Sequence, residues 1–379
     1  MKCVLYVGGF NLPDMNAAAQ RVMANSKILS ALGFKVILIG YSRDIKDKEF
    51  FNSYNFDCIN LPYPTTFRGW VRMLTSINPY KPYINHDTVA VIAYNHPAIA
   101  LKRFLQFNKK RGIKTYADCT EWYEPQGSFI FKWIKGWDIN QRMNKVHTQL
   151  DGVVTISRYL DDFYRSKGVK TLLLPPLVDK QDPKWCKSGR SVADNEAVSL
   201  LYAGSPDCAK DKLDYVIDAL NIVALQGKQF NLNIVGITED QYRAFFLRGT
   251  YKSIPSFVHF WGRLAHTEVI KMLQDADFQI FIREEHLSNQ AGFPTKFSET
   301  ISAGTIVLTN ASSNLKDYMI EGVNSFELDI KSEENLIRSL VKPLSLSKKE
   351  ILEIKAHIDS GIFDYRNYIN AMRSFLLNN

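Results

Sequence analysis

The chain has 379 residues, 46% of them hydrophobic, which suits two domains of roughly 150–200 residues, each able to bury a core. Lys and Arg exceed Asp and Glu by 47 − 39 = 8, unevenly: 25 against 14 in residues 1–180, and 22 against 25 in residues 181–379. The first half therefore suits an anionic partner. Five scattered cysteines without a CxxC pair argue against a zinc site or a disulfide framework, and no apolar stretch nears the roughly 20 residues needed to span a bilayer.

In chain order, VLYVG (4–8) reads as a strand ending in a glycine turn, since its apolar run is too short for a signal peptide. A helical period over 17–32 leads to a strand at 35–40. Strands at 89–94, 114–118 and 152–157 continue the series with helical patterns between them. Strands apolar on both faces and separated by helices predict a parallel sheet covered on both sides. Residues 175–198 are polar, proline-bearing and aperiodic, and read as a linker. The alternation restarts with strands at 198–204, 231–236, 256–262, 278–282 and 305–310, and helices from Leu213, through Met272 and from Lys296. A helical segment, 365–377, closes the chain. The fold class is α/β, with two Rossmann-like doubly wound domains facing a central cleft; ligands are expected beyond the carboxyl ends of the strands.

The strongest chemical signal is SNQAGFPTKFSETISAGTIVLTN (288–310). A polar, glycine-bearing loop follows a strand, and a helix starts near Pro294 and Thr295. Free N–H groups and the dipole at that start suit a diphosphate. Lys296 adds a positive charge. Glu299, three residues on and on about the same helix face, suits the two hydroxyls of a ribose. The same spacing also serves a plain surface ion pair between Lys296 and Glu299.

GFPTKFSETISAG resembles the donor-binding stretch of family 4 glycosyltransferases, whose two-Rossmann-domain architecture is called GT-B. The likeness extends to residues 4–22, 151–164, 200–220 and 258–282, in family order and at family spacing. It implies an acceptor-binding domain over 1–180, a nucleotide-sugar-binding domain over 181–364, and a helix over 365–379 packing back toward the first. It assigns Gly204 and Ser205 to a phosphate loop and Lys210 or Lys212 to a basic contact beside it. Where the family often reads Lys-Gly, this chain reads Asp211-Lys212. Gly262 and Arg263 would flank the base, Lys296 the diphosphate and Glu299 the ribose. Asn289, Gly292, Phe293, Pro294 and Thr295 would surround the transferred sugar. Many relatives carry a Glu-x7-Glu pair ending at the position of Glu299, whereas this chain has Ala291 at its start.

In the first half, Gly8 and Gly9 follow a strand, where a ligand or a tight turn would use them. Asn16 and Arg21 lie at the next helix, and Arg21 suits a phosphate or plain solvent. Asp118 and Glu121 follow the strand at 114–118, where relatives often place a histidine. Either carboxylate suits an acceptor hydroxyl or charge developing at the anomeric carbon. His96 ends another strand. FRGWVRML (67–74) and FIFKWIKGW (129–137) set aromatic and basic residues together, as a partly buried helix or an anionic membrane surface requires.

The resemblance implies a retaining, metal-independent hexosyl-type transfer from a UDP- or GDP-sugar, with no cofactor. The acceptor is expected to be a glycan or a polyprenyl-diphosphate-linked oligosaccharide, as in bacterial lipopolysaccharide or capsule assembly. The expected location is the cytoplasm, at the inner face of the plasma membrane. A nucleic-acid partner is not expected. The competing readings are a nucleotide-sugar epimerase of the same architecture and a non-catalytic nucleotide-binding protein. A dinucleotide oxidoreductase is disfavoured, because no GxGxxG follows a strand.

Overall fold

Runs of Val, Ile, Leu and Tyr without polar alternation form the central strands, because both faces of each are covered. The computed structural model describes residues 1–13, 15–125, 127–186, 197–204, 211–247 and 253–377. Two units result: Met1–Leu177 with Gln290–Phe293 and Tyr365–Asn379, and Val178–Asn289 with Pro294–Asp364.

The first unit begins with β1 (Cys3–Gly8), buried throughout, and α1 (Ala17–Ala31). The Asn16 side chain caps α1 by accepting from the Ala19 N–H at 2.8 Å. There follow β2 (Lys35–Ser42), β3 (Glu49–Ser53), β4 (Phe56–Pro62), α2 (Phe67–Thr75), β5 (Thr88–Tyr94), α3 (Ala98–Lys109), β6 (Lys114–Cys119), α4 (Phe129–Gln141), β7 (Gly152–Thr155), α5 (Arg158–Arg165) and β8 (Thr171–Leu173). The sheet order is β3-β4-β2-β1-β5-β6-β7-β8. Every pairing is parallel except β3 with β4. Residues 49–53 lack an apolar period, so this antiparallel edge hairpin leaves no signal in the sequence. Val4 and Tyr6 enter one core cluster, and Cys3, Leu5 and Val7 enter another. This period of two puts a core on each face of the sheet.

The second unit runs β9 (Val198–Ala203), α6 (Leu213–Leu225), β10 (Phe230–Val235), α7 (Glu239–Tyr242), β11 (Val258–Gly262), α8 (His266–Asp275), β12 (Phe278–Ile280), α9 (Leu287–Ala291), α10 (Thr295–Ala303), β13 (Ile306–Thr309), β14 (Ser325–Glu327), α11 (Glu333–Val341) and α12 (Lys348–His357). Its sheet, β11-β10-β9-β12-β13-β14, is wholly parallel. The chain then returns to the first unit as α13 (Ile369–Leu377), which contacts α1 and sets Phe375 5.2 Å from Tyr116, ring centre to ring centre.

Part of the polar stretch at 175–198 is folded rather than linking. Val178 pairs with Asp364, and Trp185 is buried in the core cluster of Leu201, Val235 and Ile270. Tryptophan burial offsets the polar neighbours that mask it in sequence. Strand order reverses at β1/β5 in the first sheet and at β9/β12 in the second. In open parallel sheets these reversal points leave a crevice beyond the carboxyl ends of the strands.

Candidate functional site

At the β9/β12 reversal, β9 ends at Ala203 and is followed by Gly204. Its φ of +144° suits glycine, and a Cβ there would lie 3.3 Å from Cε and Nζ of Lys296. Lys296 is the second residue of α10, whose start carries Pro294 and no side-chain cap. Its ammonium donates to Asp211 Oδ2 at 2.8 Å and to the Tyr202 hydroxyl at 3.0 Å. Tyr202 in turn donates to the same carboxylate oxygen at 2.7 Å. Arg283 approaches the other oxygen, Nε to Oδ1, at 3.6 Å. The Lys296 ammonium also lies 4.3 Å from the Tyr202 ring centre.

The backbone holds this cluster. Residues 211 and 283 form an antiparallel bridge, and the Lys212 N–H donates to the Ile282 carbonyl at 3.2 Å. The Asn310 side chain grips residue 283 through both its N–H and its carbonyl, each at 2.8 Å. Burial opposes ionisation of Asp211, but the Lys296 ammonium and Arg283 outweigh it and hold the carboxyl below its ordinary value. Burial pushes Lys296 below its ordinary value, and Asp211 offsets only part of that. Two cations and one carboxylate leave a net single positive charge.

Glu299 does not pair with Lys296. Its Oε1 lies 3.2 Å from Nε2 of His266, the first residue of α8. The alternative of a plain Lys296–Glu299 ion pair is therefore not what forms. Lys212 is drawn away from the cluster to Glu284, 2.8 Å distant. Gly262 ends β11 with φ +64°, and Arg263 is exposed beside it. Asn289 is fully buried and donates to the Glu284 carbonyl at 2.8 Å. Gly292, Phe293 and Pro294 are buried and Thr295 half-buried. Ala291 is fully buried, and its carbonyl accepts from the Ser157 hydroxyl at 2.7 Å. Ser205 and Lys210 lie outside the described residues.

In the first unit the structure gives structural roles to five of the candidates, Asp118, Arg21, Asn16, Gly8 and His96. Asp118 does not face a ligand. It is fully buried, Arg21 binds both its oxygens at 2.8–3.1 Å, and the Tyr6 hydroxyl donates to it at 2.5 Å. Arg21 is equally buried and spends its remaining reach on the Leu174 and Pro175 carbonyls, so it is not a phosphate contact. Burial opposes its charge, but Asp118 outweighs that and raises its pKa. A carboxylate and guanidinium so enclosed form a structural pin. Asn16 is the α1 cap described above. Gly8 is demanded by packing: a Cβ there would meet the Tyr94 carbonyl at 2.6 Å, whereas Gly9 faces open space. His96 is buried against Tyr80 and Phe104, ring centres 5.6 Å away, and burial, then Arg142, push its pKa down to about 4. It stays neutral near pH 7. Glu121 remains half-buried, and its carboxylate hydrogen-bonds Tyr123.

Residues 197–345, which contain this whole charged cluster, match the family model described as glycosyl transferases group 1. The second unit thus carries a segment similar to group 1 glycosyl transferases. Solved structures share its GT-B fold along nearly its full length. Sucrose-phosphate synthase from Thermosynechococcus elongatus aligns with a TM-score of 0.72 at 14% identity, over 98% of this chain and 97% of that one. Anabaena HepE in complex with UDP and glucose gives 0.67 at 13% identity, over 99% of both. The lipopolysaccharide outer core galactosyltransferase WaaB gives 0.60 at 14%, over 99% and 100%. No curated protein sequence matches.

Three members of this cluster escaped sequence reasoning: Tyr202, Arg283 and His266. Tyr202 sits one residue before the end of β9 and Arg283 just beyond β12, so position at a strand terminus was the available signal. His266 stands 33 positions from Glu299 and carries no local signal. Asp211 was visible only as a departure from the lysine-glycine pattern.

Proposed function

We propose that this chain is a glycosyltransferase that takes its sugar from a nucleoside-diphosphate sugar bound at the β9/β12 reversal. The observation that carries the reading is the Lys296 ammonium at the uncapped start of α10, inside the family-matched segment. The leaving diphosphate would draw on Lys296, Arg283 and the first N–H groups of α10, which meet the negative charge that grows as the glycosidic bond breaks. These cations supply the counter-charge, so the transfer is proposed to need no metal and no cofactor. Glu299, oriented by His266, would accept the ribose hydroxyls.

In this reading Gly204, Ser205, Lys210 and Lys212 border the phosphates, Gly262 and Arg263 the base, and Asn289 with Gly292–Thr295 the sugar. Glu121 remains a candidate on the acceptor side. We further propose retention of configuration, with the acceptor attacking from the face the diphosphate leaves. The proposed acceptor is a glycan or a polyprenyl-diphosphate-linked oligosaccharide in bacterial surface-polysaccharide assembly, at the inner face of the membrane. HepE was solved with UDP and glucose, and a trehalose-6-phosphate enzyme of E. coli with UDP-2-fluoro glucose, which favours a UDP-sugar as the first donor to test.

The test incubates the enzyme with UDP- and GDP-sugars in chelator and follows nucleoside diphosphate release, with the product's anomeric configuration read by NMR. Release with one donor and a retained anomer supports the reading. An inverted anomer removes the retaining assignment, and activity only with added divalent metal removes the metal-free one.

A further inference from the structure

We propose that α2, α3 and α4 form a docking surface for a bilayer with anionic lipid headgroups. α4 exposes Phe129 (83%), Phe131 (54%), Trp133 (69%), Ile134 (52%) and Trp137 (44%). Among its described side chains only Ile139 is buried. An ordinary surface helix turns its apolar residues inward, and α4 does the reverse. α2 buries none of its residues and exposes Phe67 (83%), Trp70, Val71 and Leu74. Leaving this much aromatic surface in water is unfavourable, and so many exposed large apolar side chains on neighbouring helices mark a surface that something covers.

Both helices are fixed to α3. The Asp138 carboxylate of α4 accepts from the Ala98 N–H at 2.9 Å, where α3 starts without a side-chain cap of its own. Arg103 of α3 donates to the Thr75 carbonyl at the end of α2. The exposed residues of α3 are Lys102, Arg103, Gln106 and Lys109, three of them cations. Residues 58–117 hold nine Lys and Arg against Asp87 alone, and Lys132 and Lys135 are spaced among the α4 aromatics. Lys135 lies 5.8 Å from the Phe131 ring centre, so charge and ring share one surface.

Aromatic side chains flanked by cations match the two layers of a membrane interface, ring into the acyl boundary and cation among phosphates. The same charge disfavours a second copy of this chain as the cover, because it would bring like charges together. No helix of the described residues is long and apolar enough to cross a membrane, so the contact is from the surface.

This surface rests on the proposed function only for its purpose, which is to bring the enzyme to a lipid-borne acceptor. The experiment is vesicle co-sedimentation of the full chain without substrates, using phosphatidylcholine alone and phosphatidylcholine with phosphatidylglycerol. The expected result is binding to the anionic vesicles that falls with salt and is weak on the neutral ones. Phe129→Ser with Trp133→Ser should weaken it at least about tenfold, and Lys132→Gln with Lys135→Gln should weaken it on anionic vesicles only. These residues are exposed, so melting curves and donor hydrolysis should stay as in the wild type. No binding to anionic vesicles at low salt, or equal binding by the aromatic variant, overturns the proposal. So does lipid-free dimerisation that the aromatic variant abolishes. Vesicle binding without any donor turnover would instead count against the proposed function alone.

Discussion

Asp211→Asn isolates what the buried carboxylate does for Lys296. The pair is 2.8 Å apart, with side-chain exposures of 7% for Asp211 and 14% for Lys296. At an effective dielectric of about 20 that separation corresponds to about 6 kcal/mol of gross attraction. The amide recovers part of it by hydrogen bonding, so the net loss of fold stability should be about 3–5 kcal/mol, the range for removing one partner of a buried pair. The sign with pH follows from Lys296. Burial already holds its pKa below the ordinary value, and loss of Asp211 lowers it further. A lysine depressed in the folded state sheds its proton there before the unfolded chain does, so folded stability rises with pH across that window. The window is wider in the variant, and the penalty should therefore shrink as pH climbs toward the ordinary lysine value of 10.5. It should also shrink in acid, where wild-type Asp211 takes up its proton. Urea unfolding of both proteins at about pH 6 and about pH 9 reads this difference. Lys296→Met with Asp211→Asn should recover part of the stability while leaving activity lost. A penalty below about 1 kcal/mol, or one that does not change with pH, would mean that Asp211 does not stabilise the Lys296 charge.

Asp118→Asn should cost about 3–5 kcal/mol in thermal or urea unfolding, while the remaining folded enzyme keeps its turnover, because Asp118 pins Arg21 and Tyr6. Normal stability with lost activity would return Asp118 to the chemistry. Glu299→Gln should weaken a UDP-sugar by about 10- to 100-fold in calorimetry, and the effect should vanish with a 2′,3′-dideoxyribose donor. His96 has a folded pKa of about 4 against 6.5 unfolded, so its stability contribution is present above pH 6.5 and is lost as pH falls toward 4. That change amounts to about 3 kcal/mol, and His96→Asn should flatten that part of the stability profile in urea midpoints across the acid range.

Doubly wound architecture was legible because β1, β5, β9 and β13 are apolar on both faces, a pattern that only a covered parallel sheet uses. The β3/β4 hairpin was not, since the edge strand Glu49–Ser53 is largely exposed and carries no period. Trp185 stands among charged and proline neighbours, so its packing against Leu201 and Ile270 was invisible to composition. Within the site, Lys296 and Glu299 could be read because helix spacing is local. Their partners could not: Asp211 and Tyr202 lie 85 and 94 positions from Lys296. The same distance misled the reading of Asp118. A carboxylate at a strand end looks available until Arg21, 97 positions away, is folded against it.

The most direct test of the donor site is calorimetric binding of UDP, GDP and their sugars to the wild type and to Lys296→Met with Asp211→Asn, a pair change that leaves the net charge of the buried cluster unchanged. Micromolar to millimolar binding of one nucleoside diphosphate by the wild type is expected, weakened at least about a hundredfold in the double variant. Equal affinity in both proteins, or no binding of either nucleotide by the wild type, would contradict a donor site built on Lys296.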